Sequence, residues 1–242
     1  MGSRQVGRRP GADGSRVAHI FFDLDGTLVD PRDGIVGSIQ YALQALGEPA
    51  RDPSFLTRFV GPPLAGTFRT LLGTDDPGRV REAIAAYRVR FVATGIHQHV
   101  LYEGIRDALR ALCDSGFSLR VVTSKPGEYA ERIVDARGLR SYFAGVHGST
   151  LDGERTEKGA LIRHVLEVKG LASRTVVMVG DRVHDVAGAR ENGVACVAVH
   201  WGFGSREELD AAGPDAIVDT VAELVALLRD LAGDTGCSRA VS

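Results

Sequence analysis

Cysteine, lysine and tryptophan are scarce in this 242-residue chain. Long apolar runs are missing altogether. The three cysteines, Cys113, Cys196 and Cys237, are odd in number and far apart, with no C-x-x-C pair. That excludes a disulfide-stapled scaffold and a thiolate zinc site, and it suits a reducing compartment. No stretch approaches the roughly 20 apolar residues of a membrane span, and the N-terminus lacks the apolar core of a signal peptide. The expectation is a cytoplasmic protein. An excess of either charge is missing too: 29 basic against 31 acidic residues leave a net charge of −2. No overall positive field exists to hold nucleic acid or anionic lipid. The expected partner is a small molecule, with no nucleic acid and no membrane. Nothing in the chain specifies an oligomeric state.

What is present has the composition of an ordinary globule, 44% hydrophobic and 25% charged. That allows one large domain, or one domain carrying an insert. Residues 1–16 and 233–242 hold little that is apolar, and loose tails are expected there. Between them, nearly unbroken apolar runs predict strands at Val17–Phe22, Leu119–Thr123, Phe143–Val146, Val176–Val179, Cys196–Val199 and Ala216–Val218. Runs of this kind suit parallel strands covered on both faces. The stretches between them carry helical spacing, as in Ile105, Leu109 and Leu112 before Gly116, or Leu161, Ile162, Val165 and Leu166 before Gly170. Each glycine falls where a left-handed helix cap belongs. The pattern predicts an α/β fold, a doubly wound parallel sheet.

One interval breaks the alternation. Residues 31–103 contain no convincing strand, but carry helical spacing at Ile35, Ile39, Leu43 and Leu46, at Leu64, Phe68 and Leu72, and at Val80, Ile84, Tyr87 and Phe91. The expected organisation is a core of residues 17–30 and 104–232 with an all-helical insert of residues 31–103. Ligands of such sheets bind beyond the carboxyl ends of the strands, so an insert leaving there stands over the site like a lid.

The first strand ends in Asp23-Leu24-Asp25-Gly26-Thr27, and the fourth in Gly180-Asp181-Arg182-Val183-His184-Asp185. Taken alone, an Asp-x-Asp-Gly is usually a turn with a helix cap. Two acidic pairs at two strand exits on one sheet edge repel unless a cation lies between them. Hard oxygen donors with few histidines favour Mg²⁺. His184 reads as a surface residue at a helix start. The second strand ends in Thr123-Ser124-Lys125-Pro126, placing hydroxyls and backbone N–H groups where a helix would begin, an anion cradle or simply a cap.

Only three of the 29 basic residues are lysine, namely Lys125, Lys158 and Lys169, so the chain uses arginine wherever a generic cation suffices. Two of the three fall beside the acidic strand ends, where a compact point charge differs from a planar fork. At the head of a helix Lys158 opposes the helix dipole and gains little without an anionic partner such as Asp23, Asp181 or Asp185. Trp201-Gly202-Phe203-Gly204 lacks the third glycine of a dinucleotide loop and reads as a loop packed near the acidic rim.

Together, Asp23-Leu24-Asp25-Gly26-Thr27, Thr123, Lys158 and Gly180 to Asp185 resemble the four ordered motifs of the haloacid dehalogenase-like hydrolase superfamily over about residues 17–230. The helical insert is similar to its C1 cap. Phe59-Val60-Gly61-Pro62-Pro63-Leu64, Thr123-Ser124-Lys125-Pro126 and Gly148-Ser149-Thr150-Leu151-Asp152-Gly153 resemble its phosphoglycolate phosphatase-like branch, in which some members are called 5′-nucleotidases. The resemblance implies a phosphatase acting on small phosphate monoesters of the phosphoglycolate, nucleoside monophosphate or sugar phosphate class. Asp23 would be the nucleophile and Asp25 the acid and base. Mg²⁺ would be held by the Asp23 carboxylate, the Asp25 carbonyl and Asp181. Thr123, Ser124, backbone amides and Lys158 would bind the phosphoryl oxygens, with Asp185 behind Lys158. Lys125, Gly61 and Pro62 are candidates for substrate contact; Lys125 could equally bind the cap, and the 59–64 loop could equally be a plain turn.

Competing readings fare less well. A dehalogenase would leave Asp25 and the 181/185 pair without work, and a phosphonatase needs a cap lysine that residues 31–103 lack. A phosphomutase shares every core residue and stays open. A phosphorelay-type binding domain also sets acids, a hydroxyl and a lysine at strand ends, but without a helical lid after the first strand.

Overall fold

The apolar runs that stop at acidic or hydroxyl-bearing residues become the strands of one parallel sheet. A computed structural model describes residues 16–152 and 154–231. The expected tails, apart from Arg16, lie outside the described residues, as do Gly153, Ala232 and Cys237. In chain order the strands are β1 (His19–Phe22), β2 (Val29–Asp30), β3 (Val100–Leu101), β4 (Ser118–Pro126), β5 (Phe143–Ser149), β6 (Val176–Gly180), β7 (Ala195–Val199) and β8 (Ala216–Val218). The helices are α1 (Arg32–Ala45), α2 (Pro53–Leu56), α3 (Leu64–Leu72), α4 (Pro77–Ala93), α5 (Ile105–Asp114), α6 (Gly127–Ala136), α7 (Lys158–Lys169), α8 (Val183–Glu191), α9 (Arg206–Ala212) and α10 (Val221–Leu231). No helix among the described residues is long and apolar enough to cross a membrane.

Six strands form the sheet in the order β5-β4-β1-β6-β7-β8, every neighbouring pair parallel. The chain starts in the middle, winds outward through β4 to β5, then returns to the other side of β1. This reversal places the exits of β4, β1 and β6 side by side, where ligands of open α/β sheets bind. Register fixes their level: Phe22 pairs with Val121 on one side and Val179 on the other.

Alternate residues of the central strands face opposite layers. Phe22, Val121 and Val179 pack with Leu109 and Leu112 of α5, Ile133 of α6 and Leu224 of α10. Phe21, Val122 and Met178 pack with Leu161, Ile162 and Val165 of α7 and with Val186 of α8. Phe21 and Phe22 are fully buried, and burial of each side chain stabilises the sheet by roughly 2–3 kcal/mol.

Strands β2 and β3 pair antiparallel, Val29 opposite Leu101 and Asp30 opposite Val100, so the chain leaves and re-enters the core through one short ladder. The interval expected to hold no strand therefore holds Val100–Leu101, which is too short to show a period. Between the two strands α1, α3 and α4 carry the expected apolar faces, and α2 adds a single turn capped by Asp52, whose side chain accepts from Ser54 N–H at 2.7 Å. Gly34 and Gly95 let the two ends of the insert touch, since a Cβ on Gly34 would fall on the Gly95 carbonyl oxygen. Strand β4 runs to Pro126, beyond the expected Thr123, because Pro126 still pairs with Ser149 after a register shift. Thr123, Ser124 and Lys125 thus lie in the strand, and the helix start expected there falls later, at Gly127.

Candidate active site

Where β1 ends, Asp23 N–H still donates to the Val179 carbonyl at 2.9 Å, which holds its carboxylate beside the β6 exit. The Lys158 ammonium, at the first position of α7, reaches Asp23 Oδ1 at 2.7 Å, Asp185 Oδ1 at 2.8 Å and the Val122 carbonyl at 3.1 Å. One ammonium faces three oxygens, from the residue after β1, from β4 and from the start of α8, and its side chain is only 4% exposed. Asp23, Asp181 and Asp185 are all buried, with one carboxylate oxygen of each within 4.8 Å of the others. Thr123 is buried at the end of β4, and its hydroxyl accepts from Lys125 N–H at 3.3 Å. Ser124 is half-buried, its carbonyl taken by the Ser149 hydroxyl at 2.8 Å.

Burial alone pushes the Asp23 carboxyl up. Lys158 opposes that rise and Asp185 adds to it, leaving Asp23 at about 6. Asp181 is pushed well above the carboxylate range by burial and then by Asp185 and Asp23. Burial would lower Lys158, but Asp185 and Asp23 overcome it and raise the ammonium above its ordinary value. Ionised together, the three carboxylates would carry two more negative charges than the Lys158 ammonium offsets. A divalent cation with oxygen ligands matches that deficit in charge and donor type, so these residues fit Mg²⁺.

Asp25 faces a different environment. Its Oδ2 lies 2.6 Å from Lys125 Nζ and its Oδ1 3.5 Å from His99 Nε2. Burial would raise this carboxyl as well, but Lys125 and His99 prevail and hold it at about 2. The neighbouring carboxyls Asp23 and Asp25 are thus driven in opposite directions, a mark of functional sites. Lys125 Nζ also sits 4.7 Å above the centre of the Phe91 ring on α4, so the core lysine binds the insert as well as Asp25.

Asp181 is wrapped by backbone. Phe203 N–H donates to its Oδ2 at 2.8 Å and the Thr27 hydroxyl approaches its Oδ1 at 3.3 Å. A Cβ on Gly26 or Gly202 would fall on the Asp181 side chain, and Gly26 adopts φ +86°, which favours glycine. The loop Trp201–Gly204 therefore packs at the acidic rim as its sequence implied. Asp185 accepts from Arg182 N–H at 3.1 Å, and His184 is exposed at the start of α8. Gly61 is exposed and Pro62 half-buried, in a loop that lies against Arg182. Three contributors escaped the sequence reading. His99 had no periodic context, Arg182 stood in the acidic motif without a role of its own, and Glu208, which accepts from Arg182 Nε at 2.9 Å, lies 26 residues further on.

Comparison with known proteins agrees with this geometry. Over 199 residues the chain is 47% identical to a 5′-nucleotidase of Pseudomonas aeruginosa, covering 82% of this chain and 90% of that protein. It is 37% identical over 228 residues to tyrosine-protein kinase PtkA of Mycobacterium tuberculosis, covering 93% and 76% respectively. Its fold is similar to the crystal structure of a predicted phosphatase from Clostridium acetobutylicum, with TM-score 0.85, 39% identity and coverage of 89% of this chain and 100% of that one. The family model described as haloacid dehalogenase-like hydrolase matches residues 20–199, from β1 through β7, and so takes in all four strand exits that build the site. The chain belongs to the haloacid dehalogenase-like hydrolase family.

Proposed function

We propose that the protein is a Mg²⁺-dependent phosphatase that hydrolyses small phosphate monoesters through an aspartyl-phosphate on Asp23. The observation that carries this reading is the buried ammonium of Lys158, set between Asp23 and Asp185 with Asp181 alongside. When bound by Asp23, Asp181 and the Asp25 carbonyl, Mg²⁺ would supply the charge neutralisation that lets an anionic nucleophile approach an anionic phosphoryl group. Asp23 attacks phosphorus in line and the bond to the leaving oxygen breaks. Asp25 gives a proton to that oxygen, then takes one from the water that attacks the acyl phosphate, releasing inorganic phosphate and restoring Asp23. In the resting site Lys125 and His99 keep Asp25 ionised, the form needed for the second half. A phosphoryl group that draws Lys125 toward itself loosens that grip and lets Asp25 hold the proton needed for the first half. Thr123, Ser124 and Lys158 bind the phosphoryl oxygens, and residues 31–103 act as the cap over the leaving group.

The test is a phosphate-release screen over phosphoglycolate, nucleoside monophosphates and sugar phosphates. Turnover is expected with Mg²⁺ and none with EDTA, and kcat/KM ranks the substrates. Transfer to a second sugar hydroxyl without release of phosphate would replace hydrolase by mutase. Absence of multiple turnover on every ester would refute the enzymatic reading.

A further inference from the structure

The loop Phe59–Leu64 carries a glycine at φ +101° and two prolines, and the core residue it meets is Arg182. Arg182 Nη1 donates to the Val60 carbonyl at 2.8 Å while its Nε donates to Glu208 Oε1 at 2.9 Å. Glu208 is itself fixed, because its Oε1 also accepts from Val183 N–H at 3.0 Å and its own N–H donates to the Ser205 hydroxyl at 3.1 Å. The guanidinium is therefore aimed by the core, with its Nη1 end projecting toward the insert. Gly61 makes room for it: a Cβ there would stand 3.2 Å from Nη1. Arg182 also lies between Asp181 and Asp185, and its backbone N–H holds Asp185 at 3.1 Å.

We propose that Arg182 is a positioning residue that latches the insert onto the acidic loop, so that the 59–64 loop closes over the site only when seated on this guanidinium. The catalytic consequence rests on the phosphatase reading above; the latch itself does not. Only a fork can serve Glu208 and Val60 together from one fixed position, which is why arginine suits this place in the motif. The contact at the opposite rim, where Arg88 Nη2 donates to the Leu151 carbonyl at 2.6 Å, does not involve the acidic loop and stays intact when Arg182 is changed.

The experiment is amide hydrogen exchange over residues 56–64 in the full chain, wild type against Arg182→Met and Arg182→Lys, together with steady-state kinetics on p-nitrophenyl phosphate. Arg182→Met is expected to speed exchange in this segment about tenfold, while exchange in β1 and β6 stays unchanged. Arg182→Lys, with one donor head, is expected to restore part of the protection. If seating gates substrate binding, KM rises about tenfold with kcat little changed, since apparent affinity falls with the fraction of competent molecules. The apparent affinity for Mg²⁺ stays within twofold. Unchanged exchange in a folded Arg182→Met protein would overturn the latch. So would unchanged exchange accompanied by weakened Mg²⁺ binding, which would assign Arg182 to the acidic loop alone. Should Arg182→Met fail to fold, Glu208→Gln, which loosens the aim of the guanidinium, is expected to speed exchange over 56–64 by a smaller factor, and no change there would refute the proposal. A wild type without phosphatase activity but with the exchange pattern above would sink the enzymatic reading and leave the latch standing.

Discussion

Replacing Asp23 by asparagine should destroy turnover and, in the metal-free protein, raise stability. The carboxyl is buried among Asp181 and Asp185 and sits at about 6 instead of 3.8. A carboxyl raised in the folded state favours folding below its unfolded value and loses that advantage as pH rises through the folded one. Ionising Asp23 therefore costs about 3 kcal/mol at pH 7.5, and about half of that at pH 5, where the folded carboxyl is already mostly protonated. Asparagine keeps the shape and removes the charge. In EDTA the variant is expected to melt about 6–12 °C above wild type at pH 7.5, with the gap shrinking by about half at pH 5. Mg²⁺ at about 1,000 times its Kd should reverse the order, since a ligand at that excess stabilises wild type by about 4.1 kcal/mol and the variant has lost a carboxylate ligand. Thermal unfolding with and without Mg²⁺ at the two pH values reads all of this. A variant no more stable than wild type at pH 7.5, or a gap that ignores pH, would refute the electrostatic argument. Substantial residual turnover would refute the nucleophile assignment.

Three further outcomes are expected. Lys125→Met removes the chief cation holding Asp25 at about 2; because a lowered carboxyl stabilises above its unfolded value and loses that stability as pH falls through the folded one, the acid-unfolding midpoint should move to higher pH, as circular dichroism would record. The same substitution should shift the acidic limb of the pH–rate profile upward; an unmoved limb would show that Lys125 does not act on Asp25. Gly26→Ala places a methyl on the Asp181 carboxylate and forces an L side chain into φ +86°, so kcat/KM is expected to fall by about a hundredfold or more, with weakened Mg²⁺ dependence. Lys158→Arg keeps the charge but cannot fit three acceptors around one nitrogen, so kcat should drop about a hundredfold or more; near-normal kcat would remove the point-charge argument.

The six strands of the sheet were legible because parallel strands covered on both faces leave unbroken apolar runs, and each run stops where the chain meets the ligand edge. Asp23, Thr123, Asp181 and the lysine after β5 were legible for the same reason. Other features left no local trace. His99 reaches Asp25 only because Val100–Leu101 folds back on Val29–Asp30, a two-residue ladder below the length at which alternation can be read. Ser124-Lys125-Pro126 has the composition of a turn, but the sheet overrides it by pairing Pro126 with Ser149. Arg182 and Glu208 are joined across 26 residues, and their partner Val60 offers a backbone carbonyl, which no side-chain pattern can announce.

The rarity of lysine acquires a geometric meaning in the structure. Lys158 has three N–H donors on one atom and three oxygens around it, from β1, β4 and the start of α8. Lys125 has one carboxylate and one aromatic face. Both are sites where a small charge must sit inside a convergent shell, and a planar guanidinium would push the strands apart. Arginine serves instead where two elements must be bridged at a distance, as Arg182 and Arg88 do between core and insert. The lysines offset only part of the acidic charge, and the remaining carboxylates form a set of hard oxygen donors that fits a divalent cation. The upward push on Asp23 and Asp181 and the fit of this donor set to a divalent cation therefore have one cause, three buried carboxylates set around a single ammonium.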